Sequence, residues 1–230
     1  MDDNDLKIDA VSGPVRLQVV QTLRKAILKG RFAPGARLVE RDLCELMGVS
    51  RTSIREAFRQ LESEGIVENI PNRGPVVAKL NRAQVKDVYE ARQALEALAA
   101  KLFASNATEE EVEELGKATE TLALAYRTGE VDDIIVAKDA FYGVLYFGCG
   151  NAVAPEMLTL LNTRITLLRR VSLSMPGRSK KSLREMRRLM AAIRKRDGDA
   201  AWLAASAHVR NASEAALAQI DHLAAKAVLP

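Results

Sequence analysis

The sequence predicts a mostly α chain in two parts: a compact helical module closed by a small β-hairpin, then an all-α bundle of about six helices. Three observations carry this. Apolar residues recur three and four positions apart along most of the chain, the spacing of a half-buried helix. Short β-compatible runs flank the turn Pro71-Asn72-Arg73-Gly74. From Asn81 to Ala225 no strand-like alternation exceeds a few residues, and aromatic residues make up only 4% of the chain.

The chain has 230 residues, 48% hydrophobic and 28% charged, which fits two modest folded domains and excludes extensive disorder or a disulfide scaffold. The expected organisation is a flexible N-terminus over 1–13, a first domain over 14–80 and a second over 81–230. Cys44 and Cys149 have neither C-x-x-C nor Cys/His spacing, so both read as small hydrophobes in a reducing compartment. The first residues are acidic where a signal peptide is basic, and no apolar run approaches the ~20 residues of a membrane span. A cytoplasmic protein without a membrane partner is expected.

Charge is segmented. Residues 14–80 hold 12 basic and 7 acidic side chains (net +5), residues 81–150 hold 7 and 13 (net −6), and residues 164–196 hold 12 and 1 (net +11). The positive first module suits a duplex phosphate backbone, although a solvated surface would look the same.

In the first module, Ser12 before Pro14 reads as a helix start, Val20, Leu23 and Ile27 share a stripe, and Gly30 ends the helix. After Phe32-Ala33-Pro34-Gly35, a short helix carries Leu43, Leu46 and Met47 inward, and Gly48 marks a tight turn. Ser50 then caps a third helix whose Ile54, Ala57, Phe58 and Leu61 repeat at i, i+3, i+4 and i+7. Arg51, Thr52, Arg55 and Arg59 fall off that stripe. Two short helices joined by a glycine turn form a helix-turn-helix, whose second helix enters the major groove with its N-terminal residues, where arginine can pair with guanine O6 and N7. Ile66–Ile70 and Pro75–Lys79 complete a hairpin wing with Arg73 at its tip.

These residues resemble the winged helix-turn-helix of GntR-family transcription factors. The resemblance rests on Gly30-x3-Pro34-Gly35-x2-Leu38-x-Glu40-x2-Leu43, Gly48-Val49-Ser50-Arg51-Thr52-x2-Arg55-Glu56-Ala57, Leu61-x2-Glu64-Gly65 and Arg73-Gly74-x2-Val77. It implies contacts to duplex DNA by Arg41, Arg51, Thr52, Arg55 and the wing-tip Arg73-Gly74, with Ser53 in the same set. Val39 stands where serine often caps the second helix, Ser53 where proline is common and Phe58 where leucine is usual; only the first touches stability, at that helix start.

In the second module, breaks at Ser105–Thr108, Thr128–Val131, Gly148–Asn151, Ser174–Ser179 and Asp197–Asp199 divide about six helices, the first capped by Asn81. The stripe Val85, Val88, Arg92, Leu95, Ala99, Leu102 is interrupted by Arg92, which reads either as an edge residue with its head in water or as a ligand contact. This module resembles the FCD effector-binding domain of the FadR-like branch, through Val88-Tyr89-Glu90-Ala91-Arg92-x2-Leu95-Glu96, Phe141-Tyr142-x8-Gly150-Asn151 and Asp197-Gly198-Asp199 with His208.

Many such domains hold a divalent metal with one Asp and three His. Matched to that pattern, this chain has Lys138, Tyr142 and Met186 at three of the positions and keeps only His208. One imidazole beside an ammonium is a poor set for such a cation, so neither metal nor other cofactor is expected. A buried Lys138 needs Asp139, another acid or an incoming anion as partner; the alternative is that it snorkels outward from an apolar pocket. The resemblance and this charge argument together give an expected effector site of Arg92, Lys138, Tyr142, Arg164, Met186 and His208 for a small organic acid or other anionic metabolite. The basic run from Arg164 to Arg196 reads as a solvated face that pairs with Glu109–Glu114, with one member, Arg164 or Arg169, turned to the pocket.

The expected function is a ligand-responsive transcriptional repressor that binds an inverted-repeat operator as a homodimer. No Gly-rich phosphate loop, nucleophile elbow or metal cluster supports an enzyme. A metal-dependent regulator and a dimeric DNA-binding protein indifferent to ligand are the alternatives.

Overall fold

A computed structural model of the chain describes residues 15–79 and 81–228, which form two compact units dividing between residues 80 and 81. The expected flexible stretch over 1–13 and the helix start at Ser12 and Pro14 lie outside the described residues.

The first unit holds α1 (Val15–Leu28), α2 (Glu40–Met47), α3 (Arg51–Ser63), β1 (Val67–Ile70) and β2 (Gly74–Val77). The strands pair antiparallel from Val67 opposite Val77 to Ile70 opposite Gly74, and Asn72 turns the chain with φ 62°. The core is apolar throughout: Val19, Leu23 and Ile27 of α1 meet Leu43 and Met47 of α2 and Ile54, Ala57, Phe58 and Leu61 of α3. α2 starts at Val39 without a side-chain cap; Glu40 and Asp42 in its first turn offset the helix dipole instead. It ends at Gly48, whose φ of 66° only glycine adopts without cost, and which donates its N–H to Cys44 O. Ser50 Oγ then accepts from Ser53 N at 3.2 Å, so α3 begins within three residues of the end of α2.

The second unit is six helices: α4 (Arg82–Asn106), α5 (Glu109–Thr128), α6 (Val131–Phe147), α7 (Val153–Leu173), α8 (Arg178–Arg194) and α9 (Gly198–Val228). Capping chemistry sets the breaks. Asn81 with Gln84, and Thr108 with Glu111, form capping boxes. Asn151 Oδ1 accepts from the N–H groups of Val153 and Ala154. Asp197 Oδ1 accepts from Ala200 N at 2.9 Å. At Gly148 a Cβ would lie 2.6 Å from the Phe103 ring, so the α6 terminus approaches α4 as closely as it does only because glycine is there. α4 packs along α9, and Phe103, Leu115, Phe141, Leu145 and Leu189 form the centre of the apolar core. No helix among the described residues is long and apolar enough to cross a membrane.

The apolar stripe of α4 differs from the expected one in phase. Glu96 and Phe103 are buried and Leu95 and Leu102 only half-buried, because the helix turns an ion pair, Arg92 with Glu96, toward the bundle interior.

Candidate DNA-reading surface and effector cavity

Along α3, one side carries the core and the other carries the residues that the sequence assigns to DNA. Arg51, Thr52 and Arg55 are exposed and Ser53 half-exposed. Ser53 also serves the helix start, with Oγ 3.0 Å from Ser50 Oγ. Arg55 Nε donates to both Glu40 oxygens at 2.9 and 3.0 Å, which ties the first turn of α3 to the first turn of α2. The hydrogen bond and the charge of Glu40 raise the Arg55 pKa. Arg51 has no hydrogen bond or ion pair among the described residues, so its guanidinium is uncommitted. Arg41 reaches only Asp42, at 3.4 Å, and both are exposed. At the wing, Arg73 Nη2 donates to Gly35 O at 3.1 Å, which braces the exposed turn against the α1–α2 loop. All seven DNA-assigned residues therefore belong to one unit, four on α3, α2 and the wing with charged heads free or lightly held.

The bundle does the reverse. Arg92, Lys138, Arg169, Arg178 and His208 converge on a narrow cleft of about 10 Å³, room for about one water molecule, and none is more than 5% exposed. They come from four helices plus the start of a fifth: α4, α6, α7, α9 and α8. Arg92 Nε donates to Glu96 at 2.6 Å, and its Nη2 lies 3.3 Å from Glu96 and 3.5 Å from Tyr142 Oη. Burial opposes both charges of that pair, but each partner's field outweighs it, so the Arg92 pKa is raised and that of Glu96 lowered. Arg169 donates to Asp139 at 2.6 Å and lies over the Tyr142 ring, 4.5 Å from its centroid. Burial, then the charge of Glu96, holds the Tyr142 phenol protonated well above its usual range.

Glu185 is the hub at the other wall. It accepts from Arg178 Nη2 at 2.8 Å, from Asn211 at 2.8 Å and from His208 Nδ1 at 2.7 Å. Burial works against its carboxylate, but the hydrogen bonds and charge of these neighbours bring its pKa down to about 2. Burial, then the charge of Lys138, brings His208 down to about 3, so the imidazole is neutral. With Nδ1 donating to Glu185, Nε2 is left as an acceptor, and Lys138 Nζ stands 3.1 Å from it.

The structure thus brings together Arg92, Lys138 and His208 of the expected effector set at the cavity, with Tyr142 beside it. It parts two others from them. Met186 lies in the apolar core, and Glu185, one residue earlier, faces His208 instead; a one-residue step turns a helical side chain by ~100°. Arg164 is not among the cavity residues. Arg92 is no edge residue with a wetted head, and Asp139 pairs with Arg169 and not with Lys138. Arg169, one of the two members of the basic run expected to turn to the pocket, is interior and borders the cavity; Arg178, expected on the solvated face, is interior too, whereas Lys180, Lys181, Arg184, Arg187 and Arg188 of that run are exposed. Arg196 does pair with Glu109, at 2.6 Å.

A divalent metal does not fit this cavity. His208 Nε2 points at an ammonium, its other nitrogen is spent on Glu185, and no three metal-binding side chains gather among the described residues.

Fold and surface together define a winged helix-turn-helix DNA-binding regulator with an all-helical effector domain. Residues 15–77 match the model of the bacterial regulatory proteins of the gntR family, and residues 87–211 match that of the FCD domain. The chain belongs to the GntR family of transcriptional regulators and carries an FCD domain. It is 32% identical to the HTH-type transcriptional regulator YdhC of Bacillus subtilis (strain 168), over 92% of this chain and 94% of that protein. It is 30% identical to the HTH-type transcriptional repressor RspR of Escherichia coli (strain K12), over 87% of this chain and 88% of that protein. In fold it is similar to E. coli McbR/YncC, with a TM-score of 0.73 and 24% identity over 86% of this chain and 95% of that one. GntR-family regulators bind DNA through the winged helix, and the FCD domain is a ligand-binding effector domain.

Proposed function

We propose that the protein is a transcriptional repressor that binds a short inverted-repeat operator as a homodimer and is released by a small organic anion. One winged helix reads one half-site, and a two-fold operator calls for a two-fold protein. Arg51, Thr52, Ser53 and Arg55 are its base- and phosphate-facing residues on α3, with Arg41, Arg73 and Gly74 on the backbone to either side. Repression follows the relative named as a repressor. Duplex DNA as partner implies work in the cytoplasm. The observation that carries the effector reading is Lys138, which is buried among three paired arginines and meets only the neutral His208, since a lysine in a protein interior is costly unless a partner arrives. The anion acts by binding the DNA-competent and DNA-incompetent dimers unequally, and coupling of ~1–3 kcal/mol changes operator affinity about 5- to 150-fold.

The test is DNA binding by fluorescence anisotropy on an operator selected from random duplexes, with and without a panel of organic acids. A symmetric selected site and a several-fold fall in affinity with one acid are expected. Affinity unmoved by every acid would leave a dimeric DNA-binding protein without an effector.

A further inference from the structure

The outward face of α8 has one sign of charge. Between Arg178 and Arg194 the helix holds seven basic residues and one acid, Glu185, which is turned inward to Arg178, His208 and Asn211. Lys180, Lys181, Arg184, Arg187 and Arg188 are exposed, and so is Lys195 at the C-cap. At about 100° per residue these six fall within one third of the helix circumference, and they run ~22 Å along it. None makes an ion pair or a side-chain hydrogen bond among the described residues. The exposed sides of α4 and α5 are built differently, with Lys86 on Glu90 and Lys117 on Glu113, each pair one turn apart.

Left to itself, this pattern works against the helix that carries it. Lys180 and Arg184, and Arg184 and Arg188, are like charges four residues apart, a spacing at which they repel. Lys180 and Lys181 stand in the first turn, where the helix dipole favours acids, and Gly177 supplies no side-chain cap to offset them. Solubility alone is served by mixed signs, so a one-signed face built against these costs points to an anionic partner. The chemistry of the face selects which kind. α8 has no aromatic side chain on which unpaired bases could stack, and no large exposed apolar side chain to enter a lipid layer. Three guanidiniums and three ammoniums along ~22 Å suit a row of phosphates, and the chain belongs to a family that works on duplex DNA.

We propose that this face of α8 is a sequence-independent binding surface for the phosphate backbone of duplex DNA, adding to the contacts of the winged helix. It stands whether or not the bundle has an effector.

Fluorescence anisotropy of the full-length protein on a random-sequence duplex of about 30 base pairs, at a series of KCl concentrations, tests this. Each phosphate neutralised contributes about 0.9 to the slope of log affinity against log salt. The triple variant Lys181→Gln, Arg184→Gln, Arg188→Gln is expected to flatten that slope by about 2–3 and to bind at least tenfold more weakly at about 0.1 M salt. It should melt no lower than the parent, because it removes repulsion, and its preference among operator bases should be unchanged. Replacing both arginines by lysine, which keeps the charge, is expected to preserve the slope. Lys86→Gln, Lys101→Gln, Lys117→Gln removes the same net charge from other exposed positions and is expected to leave the slope as it is. An unmoved slope in the α8 triple variant, an equal fall in the second triple variant, or lost base preference each overturns the proposal. So does a smaller sedimentation coefficient in the α8 variant, which would mean that the face joins copies of the chain through the acidic start of α5. A loss confined to vesicles of phosphatidylserine and phosphatidylcholine also overturns it and makes the partner an anionic membrane.

Discussion

In the N-terminal unit, the arginines proposed to meet DNA stand outside an entirely apolar core, and the core would pack equally well without them. In the bundle, four cations and two of their acids stand inside, and the packing of five helices depends on how they pair. Charge is thus a surface attribute in one unit and a structural element in the other. A substitution in the first should change partner binding with little change in folding, whereas one among the interior charges of the second should change both.

The largest effect is expected where a buried pair loses one member. Glu96→Ala strands Arg92 in the interior, and breaking such a pair costs about 3–5 kcal/mol, measurable as a fall in the urea midpoint. An unchanged midpoint would show that the interior charges are as dispensable as those on the surface.

Acid should act on the same unit. The pKa of His208 lies at about 3 against an ordinary 6.5, and that of Glu185 at about 2 against 4.5. Both are depressed, so the unfolded chain takes up protons first. The contribution is intact above about pH 6.5 and is lost as pH falls toward 2, at about 1.4 kcal/mol per pH unit once the unfolded imidazole is protonated. Denaturant titrations from pH 7 to pH 4 read this, and His208→Gln should flatten the upper part of the slope.

Surface arginines give a binding effect without a folding effect. Arg51→Ala should weaken the operator complex by ~1–3 kcal/mol and relax selectivity at one base position per half-site, with the melting temperature unmoved. Loss spread evenly over all sequences would make Arg51 a phosphate contact. The smallest change is expected at the exposed Arg55–Glu40 pair, where Glu40→Gln should leave the melting temperature almost unmoved. Any loss of selectivity in competition binding would then come from freeing Arg55.

The same contrast explains how much could be read from the sequence. The winged helix is legible because its determinants are local: Gly48 ends one helix, Ser50 starts the next, and Ile54, Ala57, Phe58 and Leu61 fix which side faces out. The six helices of the bundle are legible for the same reason, through Asn81, Thr108, Asn151 and Asp197. The cavity is less so. Lys138 and His208 emerge from a resemblance, but Arg169, Arg178 and Glu185 lie in a run of basic residues most of whose other members are exposed, and no periodicity distinguishes the three that turn inward. Met186 and Glu185 show how sharp the requirement is, since neighbours on one helix point to different surroundings. The available signal was the lone acid: Glu185 is the single carboxylate between Arg164 and Arg196, and a single acid among twelve bases marks an ion pair that is worth locating.

Because every interior arginine is already matched to its own carboxylate, residue 138 sets the sign of the chamber without disturbing the rest of the wall. Glutamine there would leave three closed pairs and a neutral compartment, and glutamate would leave one negative charge suited to an amine. For natural divergence, position 138 is a place where one mutational step would change the charge of the interior while leaving the three arginine pairs intact.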